Sequence, residues 1–203
     1  MSDPVPQSRP AILALSRRGL ATARWIASGL PTAEVLGRAG RADDADATFT
    51  DTIATLRALF AAGRPIVGVC AAGILVRALG PVLGDKTAEP PVLAVGEDGA
   101  SVVPLLGGHR GANALARRIA ETLETLPAVT TASDLAFGIA LDEPPAGWTL
   151  AEPARAKDVA AGLLAGERVR IDPELDWLQA LPQADDAPWH LRAGVEVPGD
   201  DPA

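Results

Sequence analysis

Cysteine, histidine and aromatic residues are scarce in this 203-residue sequence, which holds one cysteine, two histidines, no tyrosine and 3% aromatic residues in all. Cys70 alone allows no internal disulfide and no second thiolate for a metal. His109 and His190 do not form the i, i+4 pair of a helical metal motif. No protein-built metal site and no cofactor are therefore expected. Cys70 lies in Gly68-Val69-Cys70-Ala71-Ala72, which lacks the second glycine of a nucleophile elbow, so it reads as a buried strand residue. G-K-[ST] after a strand and GxGxxG are both missing, which removes the P-loop and the dinucleotide fingerprint. No apolar run approaches the roughly 20 residues of a membrane span. The first ten residues are polar and proline-rich, without a signal-peptide core, so a cytoplasmic location is expected. Basic residues are also in the minority: 18 Lys and Arg against 26 Asp and Glu give a net charge of −8, which argues against nucleic acid or an anionic membrane as partner.

What is present is a 48% hydrophobic content, ample for a packed core in one large or two small domains. Residues 1–9 read as a disordered leader. A buried strand over 11–16 (AILALS) leads to a helix over 19–29, a strand over 31–37 and a charged loop over 38–48. A strong helix follows over 51–63, capped by Thr50 or Asp51, and then the most convincing strand of the chain, 65–71 (PIVGVCA). Residues 74–79 begin the next helix, 84–91 (GDKTAEPP) form a loop, and 92–95 with 101–105 bracket a β-hairpin turn at 96–99. A helix burying Leu115, Ile119 and Leu123 precedes a last strand over 129–132. This alternation predicts an α/β fold over residues 10–135, a three-layer, mostly parallel, doubly wound sheet with one β-hairpin. Residues 136–198 change in texture, with a helix over 154–164 and short strands over 168–171 and 194–197, and read as a small α+β second domain. Residues 199–203 read as a tail or linker.

The stretch from Gly99 to Asp134 carries the chemistry. Its β-rich run breaks at Gly107-Gly108, and His109, Arg110, Gly111 and Asn113 lead into a helix, a geometry whose outward backbone N–H groups suit an anion. Ligands of doubly wound sheets bind beyond the carboxyl ends of the strands. The turns at 70–73, 106–111 and 130–134 are therefore expected to share that edge. Gly73, Gly108, Gly111 and Asn113, the cations Arg77, Lys86 and Arg110, and the hydroxyls Thr130 and Thr131 are the candidate binding groups. His109, Asp85 and Asp134 are the candidate acid/base groups. Each has an ordinary reading when taken alone: the charges as solvated surface, the threonines and Asp134 as turn caps, His109 as part of a glycine-rich turn.

Ordered along the chain, Ala72-Gly73-Ile74-Leu75-Val76-Arg77-Ala78-Leu79-Gly80-Pro81, Asp85-Lys86, Glu89-Pro90-Pro91-Val92, Glu97-Asp98-Gly99, Val103-Pro104-Leu105-Leu106, Gly108-His109, Gly111-Ala112-Asn113 and Thr130-Thr131-Ala132-Ser133-Asp134 resemble the N-terminal domain of the CbiG family of cobalamin biosynthesis. Residues 136–181 resemble that family's middle domain more weakly. The resemblance implies hydrolysis of cobalt-precorrin-5A, in which the ring lactone opens and a two-carbon fragment leaves as acetaldehyde. The substrate partner would be an anionic tetrapyrrole, and any cobalt would belong to it. His109 would serve as base or proton shuttle, the amides of residues 108–113 as oxyanion or carboxylate donors, and Arg77 and Lys86 as carboxylate clamps. Against the family's usual SGHxGGAN, Gly107 replaces serine and the loop is one glycine shorter. Glu89 stands where the family's DPAV has aspartate, and the sequence stops before the family's C-terminal domain. The resemblance thus also implies a second class of function, a corrinoid-binding or accessory module for a precorrin methyltransferase, covalently joined or separate.

Overall fold

The computed structural model describes residues 9–86, 88–139, 141, 144–145 and 147–194, with the backbone alone for His109, Pro153 and Ala154. It divides into two compact units, residues 1–129 and 130–203. The first unit is built on a six-stranded sheet in the order β3-β2-β1-β4-β5-β6. Its strands are β1 (Ala11–Ala14), β2 (Glu34–Arg38), β3 (Ala47–Phe49), β4 (Ile66–Val69), β5 (Val92–Val95) and β6 (Val102–Leu106). The first five run parallel, and β6 alone is antiparallel, pairing Val92 with Leu106 and Val95 with Val102.

The side-chain period of two explains the layers. Ile12, Ala14, Val67, Val69, Leu93 and Val95 point to one face, where helices α1 (Arg17–Gly29) and α4 (Ala112–Thr122) bury Ala23, Ile26, Leu115 and Ile119 against them. Ala11, Leu13, Ile66, Val92 and Ala94 point to the other face, covered by α2 (Thr52–Ala61) and α3 (Ala72–Leu79) through Leu56, Leu59, Leu75 and Leu79. Strands buried on both faces read as continuous apolar runs, as 11–14 and 66–69 do. The expected three-layer, mostly parallel sheet with one hairpin is present. The cap on α2 is Asp51, whose side chain accepts the Ala54 N–H at 3.0 Å.

Two local expectations are corrected. The charged loop over 38–48 closes with β3, a three-residue edge strand beside β2, which Phe49 anchors to the α2–α3 side of the core. The expected strand over 129–132 is instead a single bridge, Val102 to Pro127, with the Ala128 N–H donating to Val102 O at 2.7 Å; helix α5 (Ala132–Phe137) then starts after Thr131. Gly138, at φ 69°, ends that helix in the left-handed conformation that favours glycine. The expected strand over 194–197 falls, at residues 195–197, outside the described residues.

In the second unit a parallel pair, β7 (Val169–Ile171) and β8 (Trp189–Leu191), and helix α6 (Pro153–Leu164) surround Leu141, Val159, Leu163, Val169, Ile171, Leu175, Leu178 and Leu181. This is the expected small α+β unit. The strand β8 had no alternating signal long enough to announce it.

Asp46 tests the account of the β2 side of the sheet. Its carboxylate accepts the Val35 N–H at 2.8 Å and pairs with Arg24, and that backbone hydrogen bond first, then Arg24, hold its pKa below the ordinary carboxylate value of 3.8. A depressed folded-state pKa gives stability that is present above the unfolded value and is lost as pH falls through the folded one. Asp46→Asn is expected to lower unfolding stability by about 0.5–1 kcal/mol at neutral pH, since the pair is partly solvated. In urea titrations the difference from the parent should shrink as pH drops below about 4.

Candidate active site

The edge of the sheet on which each candidate lies follows from strand direction. Parallel strands all end at one edge, here called the carboxyl edge. The hairpin at residues 96–101 reverses the chain, with Gly96 N–H donating to Ser101 O at 3.0 Å and Gly99 at φ 73°. Strand β6 therefore ends at the opposite, amino edge, beside the start of β5. The turn at 107–111 emerges there, and so does the loop 83–91 that feeds β5. The expectation that turns 70–73 and 106–111 share the carboxyl edge is corrected by this single reversal. Thr130, Thr131 and Asp134 belong to the second unit, which is described by itself.

At the amino edge the two loops touch. Gly107 has φ 75°, and a Cβ there would lie 2.6 Å from the Pro90 carbonyl and from Pro91 N. Arg110 N–H and Ala112 N–H both donate to Gly107 O, at 2.9 and 3.1 Å, which winds residues 108–110 into one 3-10 turn. Gly111, at φ 88°, then enters α4, whose first residues include the buried Asn113. Lys86 and Arg110 are both exposed at this edge, and His109 lies between Gly108 and Arg110 in the turn. Beneath loop 83–91, Glu89 is 9% exposed and its Oε1 accepts the Gly84 N–H at 3.1 Å, pinning the segment that carries Asp85 and Lys86. Sequence reasoning used Glu89 only as a motif position; its burial between charged and proline residues was the available signal. The positive end of α4 and two exposed cations face one edge, an arrangement suited to carboxylates.

The carboxyl edge is organised differently. Sheet order reverses between β1 and β4, where doubly wound folds place their ligand crevice. Here Ser16 caps α1 by accepting the Gly19 N–H at 3.0 Å and donates to Glu97 Oε1 at 2.6 Å, while Thr22 Oγ1 donates to the Glu97 carbonyl at 2.6 Å. The chain's own carboxylate thus stands at the helix N-terminus where an anionic ligand would bind. Cys70, after β4, is pushed up to about 11, by burial first and the Glu97 charge second, which leaves it a thiol at neutral pH and no nucleophile. Gly73 lies in the first turn of α3 on this edge, and Arg77 reaches back to donate to Gly73 O at 3.1 Å. A cleft of about 600 Å³ also opens on this side, between α1 and the loop after β2, lined by Arg17, Leu20, Arg24, Arg41 and Asp43. It contains none of the candidate residues.

Residues 54–134 match the family described as cobalamin synthesis G N-terminal. Over this segment the chain is similar to the N-terminal part of the CbiG family. Every candidate residue, from Gly73 to Asp134, falls inside the matched segment. The chain is 37% identical over 137 residues to a cobalt-precorrin-5A hydrolase of Salmonella typhimurium, an alignment covering 65% of this chain and 38% of that protein. It is 27% identical over 173 residues to a cobalt-precorrin-5A hydrolase of Priestia megaterium, covering 81% and 46%. The chain therefore spans less than half the length of these CbiG relatives. A solved structure of a cobalamin biosynthesis protein G homolog from Sulfolobus solfataricus aligns with a TM-score of 0.48 at 23% identity, over 81% of this chain and 48% of that one.

The Gly107 contact gives a sharp test. A serine at this position, as in the usual CbiG loop, would require a left-handed backbone and place its Cβ against Pro90 and Pro91. Gly107→Ser is expected to destabilise the chain by about 2 kcal/mol or more, read as a lower thermal midpoint, with faster amide exchange in residues 84–91 and 108–111.

Proposed function

We propose that this chain binds cobalt-precorrin-5A and takes part in opening its ring lactone, with release of acetaldehyde, in the building of cobalamin. The observation that carries the reading is the packing of loop 83–91 against the Gly107 turn, which brings the shared Asp85-Lys86 and Gly108-His109 motifs to one edge. The two curated relatives are both named as hydrolases of this substrate. Lys86 and Arg110 would hold peripheral carboxylates of the tetrapyrrole, and the amides of residues 108–113 would stabilise the oxyanion formed when water adds to the lactone carbonyl. His109 would take the proton from that water, with Asp85 as the alternative base in the same unit. Asp134, Thr130 and Thr131 lie in the second unit and are left outside this site. Gly73 and Arg77, on the opposite edge, are left outside this site. We place the protein in the cytoplasm, on the polar, proline-rich start of the sequence; among the described residues no helix is long and apolar enough to cross a membrane.

A second reading rests on the turn itself, where Gly107, closed against Pro90 and Pro91, offers no side-chain hydroxyl to the reaction. In that reading it binds the corrinoid for a precorrin methyltransferase or for a further CbiG domain, fused or separate, which completes the reaction. Anaerobic incubation of the chain with cobalt-precorrin-5A separates the two. The hydrolase reading expects acetaldehyde, with His109→Ala abolishing release while binding persists. It also expects Lys86→Ala and Arg110→Ala each to weaken binding roughly tenfold, about 1.4 kcal/mol. Tight binding without acetaldehyde supports the accessory reading. No change in tetrapyrrole absorbance on titration contradicts both.

A further inference from the structure

The second unit carries a charged cluster that the reading above does not use. Strand alternation places Val169 and Ile171 in the core and puts Arg168, Arg170 and Asp172 on the outer side of β7, where Arg170 pairs in register with His190 of β8. Arg192 continues that outer face two residues on. Arg170 Nη2 and Arg192 Nε both donate to His190 Nδ1, at 2.8 and 3.0 Å. A guanidinium has no acceptor, so Nδ1 carries no proton, and the ring proton sits on Nε2, which donates to Asp172 Oδ1 at 2.8 Å. Asp172 Oδ2 accepts the Ala193 N–H at 3.1 Å. His190 thus spaces two exposed guanidinium groups about one nitrogen atom, with the Asp172 carboxylate at its other nitrogen.

Two like charges converging on one neutral acceptor repel each other, and the chain as a whole is strongly acidic. Among the described residues neither Arg170 nor Arg192 forms an ion pair, and each uses one of the five N–H donors of a guanidinium on His190. Both arginines are exposed, so their other N–H donors are open to a ligand. Arg168, on the same face, is turned to the Gln183 carbonyl at 3.2 Å and adds a third positive charge. A network serving only to fasten β8 to β7 would need one arginine and the His190–Asp172 pair. The second arginine, added to the same nitrogen, is explained by an anion that both forks can grip.

We propose that the outer face of the β7–β8 pair is an oxyanion site of its own, in which Arg170 and Arg192 bind a ligand bearing a carboxylate or phosphate group while His190 and Asp172 fix their separation. Arg170 and Arg192 are the contact residues; His190 and Asp172 are positioning residues. All four residues lie within the second unit, and the inference does not rest on the corrinoid reading.

The test uses the whole chain at low ionic strength, with tricarballylate and inorganic phosphate as separate probes, followed by nitrogen-15 NMR of the His190 ring and by calorimetry. The free protein is expected to show His190 as the neutral tautomer protonated on Nε2. Saturable movement of the His190 signals with either probe supports the site. Response to one probe alone identifies the ligand as carboxylate or as phosphate, and response to both identifies a general oxyanion site. Arg170→Gln and Arg192→Gln are each expected to weaken binding at least tenfold with little change in thermal midpoint, whereas Lys86→Ala leaves the His190 response intact. Failure of both probes to move these signals up to concentrations on the order of 10 mM overturns the proposal. So does binding that survives both arginine substitutions unchanged.

Discussion

A reversal of chain direction at residues 96–101 governs the rest of the site. Five parallel strands send their following loops to one edge of the sheet, and one antiparallel strand sends its loop to the other. Because β6 runs back along β5, the glycine-rich turn meets loop 83–91 instead of the turn after β4. Glycine is required at 107 for both the left-handed backbone and the close approach of Pro90. The chemistry proposed for the amino edge depends on that contact, which sets Lys86, Arg110 and the first turn of α4 on neighbouring segments.

The two edges place their carboxylates differently. At the carboxyl edge, between β1 and β4, Glu97 meets Ser16 at the head of α1 and helps to keep Cys70 protonated. An anionic ligand there would face a fixed carboxylate. At the amino edge Glu89 is buried and accepts the Gly84 N–H, while Asp85, Lys86 and Arg110 are exposed. An acidic protein can therefore hold an acidic ligand, since local arrangement and not net charge decides the field that a bound group feels.

Much of the fold was legible because local and tertiary preferences agree. Continuous apolar runs marked β1, β4 and β5, and Asp51 marked the start of α2. The hairpin was legible too, and with it the reversal; the misplacement of turn 106–111 came from treating every loop after a strand as a carboxyl-edge loop, a rule that holds only for parallel strands. Thr130 and Thr131 have the β-branched side chains of a strand, yet Pro127 lacks an N–H for a ladder and Gly138 closes a short helix. Within the site, residue types were readable and partnerships were not. Arg77 is exposed and folds onto its own helix at Gly73, and Glu97 turns inward from a hairpin whose sequence gave only a turn. The pairing of His190 with both Arg170 and Arg192 depends on the register of two strands separated by a long connection, which no local pattern encodes.

The central claim is that the ligand-binding edge is the amino edge. Backbone amide mapping by NMR during anaerobic titration with cobalt-precorrin-5A addresses it directly. The account predicts the largest perturbations in the first unit at Gly84, Lys86, Gly108, Gly111 and Asn113, with Ser16, Gly19, Cys70 and Gly73 little changed. Perturbations concentrated at Ser16, Gly19 and Cys70, with the amino-edge amides unmoved, would contradict it.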